Sequence, residues 1–193
     1  MATQIETEAA QEPGGYVFTK ADQGVPHISR KPRAADDPDY APNPVIERGL
    51  GLFRNSASGG AAAQTLLRTP TLDVSYAWFK SGFPLPLHSH DVDCYYLVIA
   101  GSMSLGTETL GKGDGVFIPA GAPYTVNPGD EGVEFIEMRT SPDYDTTYRG
   151  KTDSYWDRIA ETLRVRKGLW ASEKAPYGLI PVPDPSAPGQ GHE

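Results

Sequence analysis

Short apolar runs separated by turn signals fill the middle of this chain, and this pattern restricts its possible folds more than any other feature. The runs, between about residues 45 and 140, are LDVSYAWF, CYYLVIA, GVFIPA and GVEFIEM. The segments SGFP, AGS, GKGDG, PAGAP and NPGDEG punctuate the same region. Runs of this length, bounded by Gly, Pro, Asn and Asp, are typical of strands joined by tight turns. The region therefore predicts an antiparallel β-sandwich or β-barrel.

Composition supports a single domain and excludes some classes of partner. The chain has 193 residues, 21 glycines, 18 prolines and a net charge of −8, with no basic run, which argues against nucleic acid as a partner. Its longest apolar run, YYLVIA, is far shorter than the roughly 20 residues of a membrane-spanning helix. The acidic N-terminus lacks the apolar core of a secretory signal, and the single cysteine suits a reducing compartment. We therefore expect a cytoplasmic protein with no membrane partner.

One helix is predicted, in TDSYWDRIAETLRVRKG, residues 152–168. Asp153 or Ser154 can cap its N-terminus, and Gly168 is expected to end it. We expect the helix to cover an open end or a flank of the β-domain with its apolar face. That face consists of Trp156, Ile159, Ala160 and Leu163.

The texture of the sequence divides the chain into five segments. The second of them, residues 16–44, is an extended arm rich in Pro and Asp. This arm is expected to exchange onto the partner subunit of a homodimer. Deleting residues 1–44 should then convert the dimer to a monomer. The expected segments are a disordered N-terminus (1–15), the extended arm (16–44), the β-barrel (45–142), a C-terminal helical segment (143–180) and a disordered tail (181–193).

Two histidines, His88 and His90, open the stretch HSHDVDCYYLVIAG in a chain that has four histidines in all. Side chains of a strand alternate between its two faces. If the strand runs unbroken through this stretch, the pair shares a face with Cys94, Tyr96 and Val98. Two imidazoles that leave the same face two residues apart can converge on one metal ion.

The spacing of these residues resembles the first motif of the cupin superfamily, G-x5-H-x-H-x3,4-E-x6-G. Gly82, His88, His90 and Gly101 fall in register, and Cys94 occupies the position of the glutamate.

The segment GDGVFIPAGAPYTVN is similar to the second cupin motif, G-x5-P-x-G-x2-H-x3-N. Gly113, Pro119 and Gly121 match it, Tyr124 replaces the histidine, and Asn127 comes one residue early. The resemblance spans residues 60–140. It implies an all-β, cupin-type jelly-roll β-barrel, often dimeric, with a metal or ligand site inside. With the arm and the predicted helix, the expected fold is this barrel with an N-terminal extended arm and one C-terminal helix.

The resemblance also implies a site of three histidines and a glutamate, of which this chain keeps His88 and His90. Cys94 as thiolate and Tyr124 as phenolate could complete a four-ligand set for a divalent metal ion. Thiolate and imidazole suit zinc, while imidazole with an oxygen ligand also suits iron, manganese or nickel. Alternatively, Cys94 or Tyr124 acts as a catalytic residue that moves a proton. The remaining alternatives are that Cys94 is a small buried hydrophobe and Tyr124 an ordinary turn aromatic.

Three aromatic residues, Tyr76, Trp78 and Tyr96, are candidates to line a substrate pocket, with plain core packing as the alternative. Asp91 and Asp93 flank the second histidine. They are expected on the opposite face, either as solvated loop carboxylates or as hydrogen-bond partners of an imidazole.

These observations favour a small-molecule metalloenzyme of the cupin type. The expected substrate carries a carbonyl, enol or carboxylate group or is aromatic, and the reaction is that of a lyase, isomerase, cyclase or dioxygenase. Two alternatives remain open: a metal-free acid–base isomerase, and a binding or sensor protein without catalysis.

Overall fold

The computed structural model describes residues 25–26 and 43–178, so the expected N-terminal disorder, almost all of the arm and the tail lie outside the described residues. Within them the chain forms strands and two helices. In chain order these are β1 (Val25–Pro26), α1 (Pro44–Ser56), β2 (Ala61–Thr69), β3 (Leu72–Phe79), β4 (His88–His90), β5 (Cys94–Leu105), β6 (Glu108–Gly111), β7 (Gly115–Ile118), β8 (Asn127–Arg139), β9 (Thr146–Tyr148) and α2 (Asp153–Trp170).

The strands form two antiparallel sheets. The larger sheet has seven strands in the order β1-β2-β3-β8-β5-β6, with β7 also paired to β5, and the smaller sheet consists of β4 and β9. A bridge between His88 and Tyr124 links β4 to the segment that precedes β8. The predicted all-β architecture with a C-terminal helix is confirmed.

Alternate residues of the central strands β5 and β8 form the core between the sheets. Cys94, Tyr96 and Val98 are buried, and so are Val133 and Phe135 on the neighbouring strand. This period of two is the alternation expected of strands with one face toward the interior. It fixes which side chains can reach the site.

The chain between His88 and Val98 is not one unbroken strand, so the condition for a single shared face is not met. β4 ends at His90, β5 begins at Cys94, and the two strands belong to different sheets. Two carboxylates hold the bend between them. Asp91 Oδ1 accepts from the backbone N–H of Asp145 (2.7 Å), and Asp93 Oδ1 accepts from that of Ala120 (2.8 Å).

The predicted C-terminal helix is confirmed, but both of its ends differ from the prediction. Thr152 is the N-cap, and its side chain accepts from the backbone N–H of Tyr155. The helix continues through Gly168 to Trp170. Trp170 is buried and its indole N–H donates to the Ser81 carbonyl (3.0 Å), an anchor that outweighs the low helix propensity of glycine.

A second helix, α1, was not predicted. Asn43 caps it by accepting from the backbone N–H groups of Val45 and Ile46. Gly49 lies against α2 so closely that a Cβ there would come 2.0 Å from the Trp156 ring. Glycine therefore permits the helix contact that stabilises α1, although it lowers helix propensity. Across residues 43–178, neither helix has the length and apolarity needed to cross a bilayer.

Candidate functional site

The two histidines of β4 lie next to each other in the interior. His88 and His90 are both buried, and their ring centroids are 5.0 Å apart. The His88 ring also packs against Tyr124 (4.4 Å), and the His90 ring packs against Tyr144 (5.0 Å). The pair thus lies inside an aromatic enclosure.

A backbone carbonyl fixes the protonation of His88. Its Nδ1 lies 2.7 Å from the carbonyl oxygen of Pro86, and since a carbonyl can only accept, Nδ1 carries the proton. Burial lowers the pKa of His88 to about 4. The hydrogen bond to Pro86 opposes this decrease, whereas the nearby Arg139 cation adds to it. The imidazole is therefore neutral, with an unprotonated Nε2.

His90 is oriented by the chain next to it. Its Nδ1 lies 3.4 Å from the Asp145 carbonyl oxygen and 3.2 Å from Thr146 Oγ1. Burial lowers the pKa of His90 to about 3, and the proximity of His88 and Arg139 lowers it further. A neutral imidazole is the form that binds metal ions.

One histidine of this pair, His90, forms a cluster of three donor groups with Cys94 and Glu137. One donor atom from each of His90, Cys94 and Glu137 lies within 4.8 Å of the other two, and all three residues are buried. His90 comes from β4, Cys94 from the first position of β5 and Glu137 from β8. Antiparallel pairing of Cys94 with Arg139 brings the ends of β5 and β8 together at this point.

Glu137 forms an ion pair with Arg139 that leaves atoms of both side chains unpaired. Arg139 Nη2 lies 2.5 Å from one carboxylate oxygen, Glu137 Oε2. The other oxygen, Glu137 Oε1, and the Arg139 Nε and Nη1 are buried and have no hydrogen-bond partner among the described residues. Burial raises the pKa of Glu137, and the Arg139 cation opposes that rise. Buried polar atoms without a partner call for an explanation, and a bound ligand or ion is one.

Cys94 is a buried thiol in the absence of a metal ion. Burial raises its pKa to about 12, and the Glu137 carboxylate raises it further. A coordinated metal ion reverses this preference, because a thiol bound to a metal loses its proton. The position therefore suits a ligand and gives no sign of a reactive free thiolate.

Tyr124 and Tyr96 share a hydrogen bond at the edge of the site. Their hydroxyl oxygens are 2.7 Å apart, and the Tyr96 ring stacks on Phe135 with centroids 4.9 Å apart. Burial is the main reason that the pKa of each hydroxyl lies well above its ordinary value. Both hydroxyls therefore stay protonated.

The structure does not bring Tyr76 and Trp78 to the site. On β8, Tyr76 pairs with Ile136, whereas Tyr96 pairs with Glu137. Adjacent positions of β8 face opposite ways, so Tyr76 and Trp78 lie on the face of the sheet away from Tyr96. The Tyr76 hydroxyl instead donates to Glu134 (2.6 Å).

Sequence analysis missed the two charged residues of the site, Glu137 and Arg139. A signal was present in GVEFIEMR, where Val133, Phe135, Glu137 and Arg139 alternate along one face of a strand. Charged residues in the same phase as core residues indicate a polar interior.

The donor set fits a divalent transition-metal ion. Imidazole, thiolate and carboxylate are the ligand types found in zinc sites and, in part, in iron, manganese and nickel sites. The buried, unpaired Glu137 Oε1 is an acceptor that such an ion would satisfy.

No family model and no curated protein matches the chain. Among solved structures it is similar to a RmlC-like cupin from Shewanella frigidimarina (23% identity, 45% of this chain and 79% of that chain, TM-score 0.41). It is also similar to the polyketide cyclase RemF from Streptomyces resistomycificus (18%, 54% and 84%, 0.44) and to KdgF from Halomonas sp. (20%, 44% and 82%, 0.40). The cupin fold predicted from the two motifs agrees with the strand pairing described above, and these similarities concern the fold alone.

Proposed function

We propose that this protein is a small-molecule metalloenzyme in which His90, Cys94 and Glu137 hold a divalent metal ion. The observation that carries the proposal is the cluster of their donor atoms, all within 4.8 Å of one another in the buried interior. Compared with the four ligands expected from the sequence, Glu137 is added, whereas Tyr124 and His88 are not among the three clustered donors. His88 lies beside the cluster and offers its unprotonated Nε2 to the ion or to a substrate.

The neighbouring side chains are suited to holding and moving protons. A bound divalent ion supplies a Lewis acid for a carbonyl, carboxylate or enol oxygen, or an oxygen-activating centre if it is iron. The hydrogen-bonded hydroxyls of Tyr96 and Tyr124 can donate a proton, and His88 Nε2 can accept one. The rings of Tyr124 and Tyr144 pack against the two histidines, which are buried. These roles fit a lyase, isomerase, cyclase or dioxygenase.

Elemental analysis of protein purified without a chelator or a metal-affinity column tests the metal centre. We expect near-stoichiometric metal in the wild type and its loss in His90→Ala and Cys94→Ala. Ser89→Ala serves as the matched control, because Ser89 is buried on the same strand but is not among the three donors. Turnover of carbonyl- or enol-bearing substrates that chelation abolishes and metal restores would support catalysis. Protein that contains no metal and cannot be loaded would contradict the proposal.

A metal-free acid–base isomerase is the second candidate, and the Glu137–Arg139 ion pair favours it. The guanidinium places a fixed positive charge next to one of the three donors, where it opposes a divalent cation. The tyrosine hydroxyls and His88 would then act as acid and base without a metal ion. Activity that survives exhaustive chelation and falls in Tyr124→Phe would select this candidate.

We also propose that the protein is a cytoplasmic homodimer. Its single cysteine and acidic charge suit the location. The deletion of residues 1–44 remains the test of the dimer, with the mass measured by light scattering. An unchanged mass would contradict arm exchange.

A further inference from the structure

The Arg139 guanidinium has two nitrogen atoms that no group among residues 43–178 satisfies. The side chain is buried, and only Nη2 reaches Glu137. Nε and Nη1 have no hydrogen-bond partner. Together they carry three of the five N–H donors of a guanidinium, a group that does not lose its charge in proteins. Charged donors left unpaired away from water are costly, so this arrangement calls for an acceptor.

The residues around Arg139 do not supply that acceptor. The Tyr144 ring covers the guanidinium at 4.5 Å, a contact with the cation that provides no oxygen for its N–H groups. Asp73 is the register partner of Arg139 on β3, but its carboxylate accepts from Arg68 Nη2 (2.9 Å) and Ser75 Oγ (3.2 Å). The carboxylate of its register partner therefore accepts from other groups.

We propose that Arg139 binds the carboxylate group of the small-molecule ligand, which makes that ligand a small organic acid. A carboxylate offers only acceptors and carries the opposite charge, so it complements the free donors. The planar guanidinium is also better suited than an ammonium group to a carboxylate. The reacting end of this ligand would lie beside Glu137 and Cys94. For that end, the inference rests on the proposed function.

Calorimetric titration of chelator-treated protein with matched probes tests this inference. The probes are acetate against acetamide, and benzoate against benzamide, so that each pair differs in charge at similar size. We expect each carboxylate to bind at least tenfold more tightly than its amide. Arg139→Gln should weaken carboxylate binding roughly ten- to hundredfold, as the loss of a charged hydrogen bond predicts. Arg139→Lys, which keeps the charge, should retain part of the affinity.

The comparison of probes on the wild-type protein stands even if Arg139→Gln does not fold. Equal affinity for carboxylate and amide, or no binding of any probe, would overturn the inference. Because the metal is removed beforehand, an ion cannot attract the carboxylate in its place. Metal loading without carboxylate preference would contradict only the inference, whereas carboxylate preference in a protein that cannot be loaded would contradict only the metal centre.

Discussion

Two buried glutamates on β8, three residues apart, differ in how completely their oxygens are paired. Glu134 is fully buried, and its carboxylate accepts from the Tyr76 hydroxyl (2.6 Å) and from the backbone N–H groups of Tyr177 and Gly178. Glu137 is 7% exposed and has one oxygen paired with Arg139 and the other unpaired. Alternation along the strand places them on opposite faces of the sheet.

The difference separates a structural carboxylate from a functional one. On its face of the sheet, Glu134 has both carboxylate oxygens hydrogen-bonded, and one of them binds the segment after α2. The face of Glu137 keeps acceptor and donor atoms unpaired next to two histidines and a cysteine. The face of Glu134 also has two unpaired atoms, Gln64 Oε1 and Trp78 Nε1, but both belong to neutral groups. In the described part of the chain, the unpaired atoms on the face of Glu137 belong to charged groups, which is costly to maintain without a ligand.

Removing the partner of Glu137 should have the largest effect on stability. Arg139→Met leaves a buried carboxylate unpaired and should lower the free energy of unfolding by about 3–5 kcal/mol, as measured by urea denaturation. The double variant Glu137→Leu/Arg139→Met replaces the ion pair by apolar groups and should recover most of that loss. A single variant that stays within about 1 kcal/mol of wild type would show that the pair is not isolated from water.

Glu134→Gln should have an intermediate effect that is confined to stability. The variant keeps the shape of the side chain but loses the charge that accepts from three donors, so we expect a loss of about 1.5–3 kcal/mol. Its metal content should equal that of the wild type, because Glu134 lies on the other face. Metal loss in this variant at an intact fold would refute the division between the two faces.

Tyr96→Phe should have the smallest effect. It keeps the ring stacked on Phe135 and removes the hydrogen bond to Tyr124, which should cost about 1 kcal/mol in the free energy of unfolding. A double-mutant cycle with Tyr124→Phe isolates the bond, and we expect the two single losses to be non-additive. Additive losses would mean that the hydroxyls do not interact.

The part of the site that the sequence predicted depends on local spacing. His88 and His90 share a strand, and Cys94 and Tyr96 share another, so the period of two was sufficient for each pair. Tyr124 followed from the spacing of the second motif. These residues do meet in the structure, although the chain bends between His90 and Cys94 in a way that the alternation alone did not indicate.

The rest depends on long-range register, which no local pattern contains. Whether Tyr76 shares a face with Tyr96 is decided by how β3 and β5 each pair with β8, where the partners are Ile136 for Tyr76 and Glu137 for Tyr96, more than 40 residues away in sequence. The same pairing brings Glu137 to Cys94. Helix α1 was missed for a related reason, since Gly49 is explained only by its contact with Trp156.

The most direct test of the metal centre is calorimetric titration of Zn²⁺ into chelator-treated wild type, Glu137→Gln and Glu134→Gln. Each of the two variants replaces one buried glutamate of the same strand by its amide. We predict near-stoichiometric binding to the wild type and to Glu134→Gln, and at least tenfold weaker binding to Glu137→Gln. Equal binding by all three proteins, or no binding by the wild type, would contradict a metal ion held by His90, Cys94 and Glu137.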